Sequence, residues 1–367
     1  MPLIASTGKP RLILGCMTFG PDPSAGARIT SLDDYKQCLD YLQSKGYNEI
    51  DTARSYIGGL QEGFTRQAGW KERGLKLATK HYPFQYGDHK PENLRAALET
   101  SLKELGTDQV DIFYLHAADR SVPFAETLEE VNKLHKEGKF VELGLSNFTA
   151  FEVAEVAILC AERGWVRPTI FQAMYNAISE SSSVPPDWRV CSLTGIPVAR
   201  SIETELIPAC RRYGLNIVVY NPLAGGLFSG KIKSKDITPA DGRFSDTAGS
   251  GQRYRERYFK DETFKALKIV EDVAAKHNLT LVEIGLRWCV HHSALKITDG
   301  DDGVIVGVSN FDQLKTNIAD LEKGPLPQEV VDVLNEAWLI AKPTTTNYWQ
   351  LDLKYTYDTQ AAVFKRK

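Results

Sequence analysis

The sequence lacks any run of eighteen or more apolar residues, so a membrane-spanning helix is not expected. It lacks an excess of either charge: the formal net charge is −3, the signs are mixed, and no basic stretch marks a nucleic-acid surface. Met1-Pro2-Leu3-Ile4-Ala5-Ser6 has no basic segment ahead of an apolar one, so no secretory signal is expected. The six cysteines, Cys16, Cys38, Cys160, Cys191, Cys210 and Cys289, never fall in C-x-x-C spacing. Several sit in apolar surroundings, which argues for reduced thiols in a cytoplasmic protein and against a disulfide framework or a zinc site. The adjacent His291-His292 lacks the i, i+4 spacing of a helical zinc pair, and no metal is expected. No strand runs into G-x-G-x-x-G, which excludes the Rossmann fingerprint.

What the sequence does have is alternation. Short β-branched runs at 11–15, 48–51, 75–80, 110–116, 139–145, 169–173, 215–220 and 303–306 read as strands. Between them lie helical patterns at 32–45, 59–70, 94–105, 127–135, 152–163, 202–213 and 262–276, and another follows at 312–321. Gly46, Gly106, Gly164 and Gly214 serve as stops, and Pro91 opens the third helix at a favourable first-turn position. Eight such units predict an α/β fold, a (β/α)₈ TIM barrel, for which about 250 residues suffice. The surplus predicts extra helices at 281–290 and, near the C-terminus, 327–340. No internal repeat and no strong linker divides the chain, so a single domain is expected over 1–367, with a core of about 11–340. Two stretches stand apart: a Ser- and Pro-rich insertion at 179–198 without clear period, and a tail at 342–367, ordered or loose.

Four residues carry the chemistry. Asp51, Lys80 and His116 each close a predicted strand, and Tyr56 follows Asp51 by one tight turn. The C-terminal ends of barrel strands are where active sites gather. Carbonyl reduction needs hydride at carbon and a proton at oxygen, and a free phenol, with a pKa of about 10, is a weak acid at neutral pH. A neighbouring ammonium, Lys80, is expected to lower that value, with Asp51 holding Lys80 charged. His116 can donate to the carbonyl oxygen. His81 is a rival imidazole, which strand alternation turns away from Lys80. After the seventh strand, Gly225-Gly226-Leu227-Phe228-Ser229-Gly230-Lys231 nearly spells a P-loop, but Ile232 stands where magnesium binding wants Ser or Thr. Small residues there still let backbone N–H groups approach a phosphate, and Lys231 and Arg243 are available cations. Gly307-Val308-Ser309-Asn310 follows the eighth strand and opens a helix, a second place for an anion.

Asp51-Thr52-Ala53-Arg54-Ser55-Tyr56 resembles the aldo-keto reductase D-T-A-x-x-Y motif, and the Leu77–Lys80 and Asp111–His116 stretches resemble its Lys and His blocks. Glu142-Leu143-Gly144-Leu145-Ser146-Asn147 and Tyr220-Asn221-Pro222-Leu223-Ala224-Gly225-Gly226-Leu227 resemble the branch of aflatoxin aldehyde and succinic semialdehyde reductases, and the match runs from about 11 to 338. The resemblance implies a barrel that uses NADPH/NADP+ and no metal, with Tyr56 as acid, Lys80 and Asp51 as its tuning pair and His116 as substrate orienter. It implies that Ser146, Asn147 and Gln172 bond the nicotinamide amide and that Tyr220 lies near the ring. Asn221, Leu223, Gly225, Gly226, Leu227, Gly230 and Lys231 belong to the implied cofactor cradle, and Gly307, Ser309, Gln313 and Asn317 to the segment holding the adenosine phosphate.

On the substrate side, Met17 and Phe84 follow the first and third strands, and Trp349 in the tail is a further candidate pocket wall. Tyr254 and Arg257 lie in a segment resembling one that reaches substrate carboxylates, which a guanidinium can clamp bidentately; a merely solvated helix is the alternative. The 179–198 stretch departs from the resembled branch, inserting about twenty residues, and reads as an unordered loop or translated intron sequence more readily than as a lid. The expected activity is NADPH-dependent reduction of aldehydes, including dialdehydes and carboxylated or aromatic ones, by an enzyme whose partner is the small-molecule aldehyde; a homodimer is left open. The alternative is an NADPH-binding regulatory subunit resembling potassium-channel β subunits, which keep the same four residues. A barrel hydrolase would leave Lys80 and Tyr56 without a role.

Overall fold

The computed structural model describes residues 8–178, 202–246, 251–344 and 347–364, so the insertion read at 179–198, with Cys191, lies outside the described residues. Eight parallel strands close into a barrel in chain order: β1 (Arg11–Gly15), β2 (Glu49–Asp51), β3 (Lys76–His81), β4 (Val110–Leu115), β5 (Phe140–Ser146), β6 (Pro168–Met174), β7 (Asn216–Tyr220) and β8 (Gly303–Gly307). The helices α1 (Leu32–Ser44), α2 (Gln61–Gln67), α3 (Pro91–Leu105), α4 (Phe124–Lys136), α5 (Ala150–Glu162) and α6 (Leu206–Tyr213) follow the first six strands. Three helices, α7 (Gly251–Tyr258), α8 (Asp261–Lys276) and α9 (Leu281–His291), separate β7 from β8. Beyond β8 lie α10 (Phe311–Leu321), α11 (Gln328–Ala341) and a short α12 (Thr359–Val363). The predicted barrel and the two extra helices are therefore present.

Local chemistry explains where elements begin and stop. Ser31, Thr149, Thr280 and Asn310 each accept an amide N–H three residues on, and Thr149 and Glu152 form a reciprocal capping box. Gly106 and Gly214 end α3 and α6 in the left-handed region. Some edges differ from the sequence reading. β4 stops at Leu115, so His116 lies one residue past the strand, and α6 starts at Leu206, not 202.

Inside the barrel, Ile13, Ala78, Ile112, Tyr114, Ile170, Val218 and Ile305 form the inner core, and a larger apolar layer lies between strands and helices. Burying each aliphatic side chain stabilises the fold by roughly 1.5–3 kcal/mol. Gly144 on β5 is required by packing: a Cβ there would overlap the ring of Tyr114 on β4. The tail is docked at Tyr348, which is only 4% exposed and whose hydroxyl accepts from the Ala150 amide at 2.8 Å, while α12 buries no side chain.

Candidate active site

Strand register sets the site. Gly15, Asp51 and Ala78 are direct partners across β1, β2 and β3, and Lys80 stands two residues beyond Ala78 on the same face. Its amine reaches back to Asp51. The Lys80 Nζ donates to Asp51 Oδ1 at 2.5 Å, to the Thr52 carbonyl at 2.5 Å and to Tyr56 Oη at 3.2 Å. An ammonium has three N–H groups, and all three are used. Gln172 Nε2 donates to the other Asp51 oxygen at 2.8 Å. Tyr56 is brought back over the barrel by a sharp turn in which Ile57, Gly58 and Gly59 all have positive φ. That turn is tied down by the Arg54 amide donating to the Lys80 carbonyl at 3.0 Å and by the Arg54–Glu62 ion pair at 2.6 Å.

The electrostatics correct one expectation. Burial raises the Tyr56 phenol above its ordinary pKa; Lys80 pulls it down, but does not reverse the effect, and Asp51 pushes it further up. Tyr56 therefore keeps its proton at neutral pH. Burial works against the Lys80 ammonium, yet Asp51 and then Tyr56 outweigh it and raise its pKa. His116 stands edge-on to Tyr56, with ring centroids 6.2 Å apart. Burial first, and then the charges of Lys80, His81 and His89, hold its imidazole well below the ordinary range, so it is neutral. His116 Nδ1 is buried and has no partner among the described residues. A neutral ring with its proton on Nε2 leaves a bare acceptor there, not a bare N–H. His81 faces elsewhere, with Nε2 3.2 Å from the Asp88 carbonyl.

Tyr82, which the sequence reading did not name, lies edge-on to His116 with centroids 5.4 Å apart, and Phe84 packs on Tyr82 at 4.9 Å. Alternation from Lys80 would have found Tyr82. Phe84 is 73% exposed and Met17 37%, while Trp349 packs against the core.

The residues matched to a nicotinamide site gather at the ends of β5, β6 and β7. Ser146 and Gln172 are register partners. Asn147 Nδ2 donates to Ser146 Oγ at 2.9 Å, and the Tyr220 hydroxyl donates to Asn147 Oδ1 at 2.9 Å. Beyond β7, Asn221 accepts from the Gly225 amide and donates to the Tyr258 hydroxyl at 2.6 Å, so its side chain holds the glycine turn against α7. Leu223 is half-buried, Leu227 is buried, and Gly230 ends the turn in the left-handed region. Gly225, at φ +70°, leaves room for Tyr254: a Cβ would sit 2.7 Å from that ring. Lys231 is exposed. At the start of α10, Ser309 and Gln313 are exposed, and the Ser309 amide donates to Gln313 Oε1 at 2.8 Å. Asn317 is buried on the inner side of that helix.

The charged helix α7 is not merely solvated, because Tyr254, Arg257 and Tyr258 share a buried face. Arg243 donates to the Tyr254 hydroxyl at 2.8 Å and lies beside Gly307, and Arg257 Nη1 touches Met174 Sδ at 3.6 Å. Burial pushes the Tyr254 phenol up, but Arg243 and Arg257 together hold it below its ordinary pKa. Elsewhere Arg11, Arg54, Arg120 and Arg211 each meet a carboxylate. Among the described residues Arg243 and Arg257 meet none, and Arg257 Nε is buried without a partner. The Arg243 guanidinium, beside Gly307 and ahead of the α10 N-terminus, fits a polyanionic cofactor, and the buried Arg257 is a second cation free to meet an anion.

Comparison with known proteins agrees with this geometry. Residues 11–339 match the Aldo/keto reductase family. An aldo-keto reductase of Pseudocercospora fijiensis (strain CIRAD86) is 39% identical over 85% of this chain and 99% of its own length. Aflatoxin B1 aldehyde reductase member 2 of Rattus norvegicus is 38% identical over 93% of this chain and 88% of its own. Aldo-keto reductase family 7 member A3 of Homo sapiens is 39% identical over 94% of this chain and 98% of its own. With its closed barrel and its Asp51–Lys80–Tyr56 cluster, the chain belongs to the aldo/keto reductase family and is an oxidoreductase of that family.

Proposed function

We propose that this chain is an NADPH-dependent aldehyde reductase in which Tyr56 is the general acid. The observation that carries the reading is the Lys80 amine bridging Asp51 and Tyr56 at the rim of the barrel. NADPH, when bound, supplies the hydride that reaches the carbonyl carbon. Tyr56 gives its proton to the carbonyl oxygen as charge develops there, and Lys80, 3.2 Å away, stabilises the phenolate left behind. Asp51 keeps Lys80 charged and aimed. His116, being neutral, donates one N–H to the same oxygen and orients it. Ser146, Asn147, Gln172 and Tyr220 would hold the nicotinamide end, and the 225–231 turn with the start of α10 would hold the phosphates.

The names of the relatives favour aldehydes, and Arg257, buried with its Nε unpartnered among the described residues, favours carboxylated ones such as succinic semialdehyde. No helix among the described residues is long and apolar enough to cross a membrane. The proposed cytoplasmic location is supported by Cys16, Cys38, Cys160, Cys210 and Cys289, which are all free and buried. The test is turnover of 4-nitrobenzaldehyde and a panel of carboxylated aldehydes and dialdehydes with NADPH and NADH. Consumption of NADPH in preference to NADH is expected. Tight NADPH binding without consumption would overturn the enzyme reading in favour of a regulatory subunit.

A further inference from the structure

Three residues beyond His116, between β4 and α4, lies the buried pair Asp119-Arg120. Asp119 Oδ2 accepts from the amides of Gly87 and His89 at 3.1 and 3.0 Å. Its Oδ1 accepts from the amide and hydroxyl of Ser121 at 3.0 and 2.6 Å. This carboxylate therefore secures the loop after β3 that carries Tyr82 and Phe84. Arg120 secures a different segment. Its Nε and Nη2 form a two-pronged pair with Glu152 at 2.7 and 2.9 Å. Its Nη1 donates to the carbonyls of Gln350 at 2.9 Å, Asp352 at 3.3 Å and Leu351 at 3.4 Å.

Three consecutive carbonyls converge on one guanidinium while Leu351 sits at φ +63°, a region that residues with a side chain rarely adopt. The Arg120 carbonyl also accepts from the Thr356 amide at 3.1 Å, and the Tyr355 hydroxyl donates to Glu152 at 2.7 Å. The segment so held delivers Gln350 to the site. The Gln350 amide donates to the Asn147 carbonyl at 3.2 Å, and its Nε2 donates to the Tyr220 hydroxyl at 3.3 Å. A planar, always-charged fork suits this task, because it satisfies a buried carboxylate and backbone carbonyls at once.

We propose that Asp119-Arg120 is the positioning hub of the active-site mouth. Asp119 sets the β3 loop on one side; Arg120 sets the C-terminal segment on the other and keeps Gln350 on Asn147 and Tyr220. The pair acts through the walls it holds, not on the reacting atoms. Its kinetic consequence rests on the reductase reading above; its structural consequence does not.

The test uses the full chain with hydrogen–deuterium exchange and steady-state kinetics. The variants are Asp119→Asn, Arg120→Lys, and Arg120→Met combined with Glu152→Gln, which leaves no lone buried charge. The double variant should speed exchange at the Gln350 and Thr356 amides by about tenfold and leave Gly87 and His89 unchanged. Asp119→Asn should do the reverse. Both should raise the KM for 4-nitrobenzaldehyde about fivefold and alter kcat less than about threefold, with Arg120→Lys in between. Unchanged exchange overturns the hub. So does simultaneous loosening of both walls, which would mean general destabilisation, or a loosened wall with an unchanged KM. If the wild-type chain reduces no aldehyde, the reductase reading fails, and the hub then stands or falls on the selective exchange pattern alone.

Discussion

Replacing Tyr56 by Phe separates chemistry from architecture. The hydroxyl makes one hydrogen bond to the Lys80 amine, at 3.2 Å, and Lys80 keeps its shorter bonds to Asp51 and Thr52. Losing one such bond costs about 0.5–1.5 kcal/mol of stability, a few degrees in Tm at most. The ring keeps its place beside His116. A lost general acid, by contrast, lowers turnover about 10²–10⁴-fold, equivalent to about 3–5 kcal/mol in the barrier. Catalytic loss should therefore far exceed structural loss. The assay is kcat at saturating NADPH, together with the NADPH Kd from fluorescence and a thermal melt.

The pH profile sharpens this test. Because burial keeps the phenol above its ordinary range, the wild-type kcat should stay level through neutral pH and fall only when the phenol ionises. Deprotonation removes the acid, so the fall must come on the alkaline side. The residual activity of the variant should lack it. A Tyr56→Phe enzyme with more than about a third of the wild-type kcat would refute the role. Equally damaging would be a variant whose lost activity is matched by lost NADPH binding or a collapsed melt.

Lys80→Met leaves the Asp51 carboxylate buried without its cation and should cost about 3–5 kcal/mol in denaturant unfolding. Adding Asp51→Asn should recover much of that stability and none of the turnover; recovered turnover would show that the pair serves the fold alone. Arg257→Met should raise the KM for succinic semialdehyde about tenfold and leave that for 4-nitrobenzaldehyde within about twofold, since only the former has a carboxylate to lose; equal effects on both would refute a carboxylate clamp. Burial, and after it His81, holds His89 down to about 3. A depressed histidine contributes stability above its ordinary value of about 6.5, and that stability is lost as pH falls toward the folded-state value, by up to about 1.4 kcal/mol per pH unit. Urea unfolding between pH 6.5 and 4 should show this slope, and His89→Leu should reduce it by up to about 1.4 kcal/mol per pH unit, His116 contributing in the same direction to what is left.

The barrel and the rim positions of Asp51, Lys80 and His116 were legible because parallel strands put their C-terminal ends on one face, and each residue closes its own apolar run. The glycine turn was legible for a local reason, since Gly225, Gly226 and Gly230 take the positive φ that a residue without Cβ adopts freely; the packing of Tyr254 on Gly225 was not. Other features depend on contacts between distant parts of the chain. Gln350 meets Tyr220 across 130 residues, and Arg120 meets Gln350 across 230, so no window of sequence joins them. In α7 the charged composition hid a buried face, because Tyr254, Arg257 and Tyr258 bury rings and a guanidinium where a helix usually buries aliphatics. The tuning of Tyr56 fails the local reading most instructively. Lys80 lowers its pKa, as its charge demands, yet enclosure raises it more. Enclosure also keeps His116 neutral. Charge is a property of a residue and can be read at its position; desolvation belongs to everything that surrounds it. The proposed proton transfer needs a phenol that holds its proton and an imidazole that carries only one; burial is the leading cause of both, against the neighbouring ammonium at Tyr56 and with its help at His116.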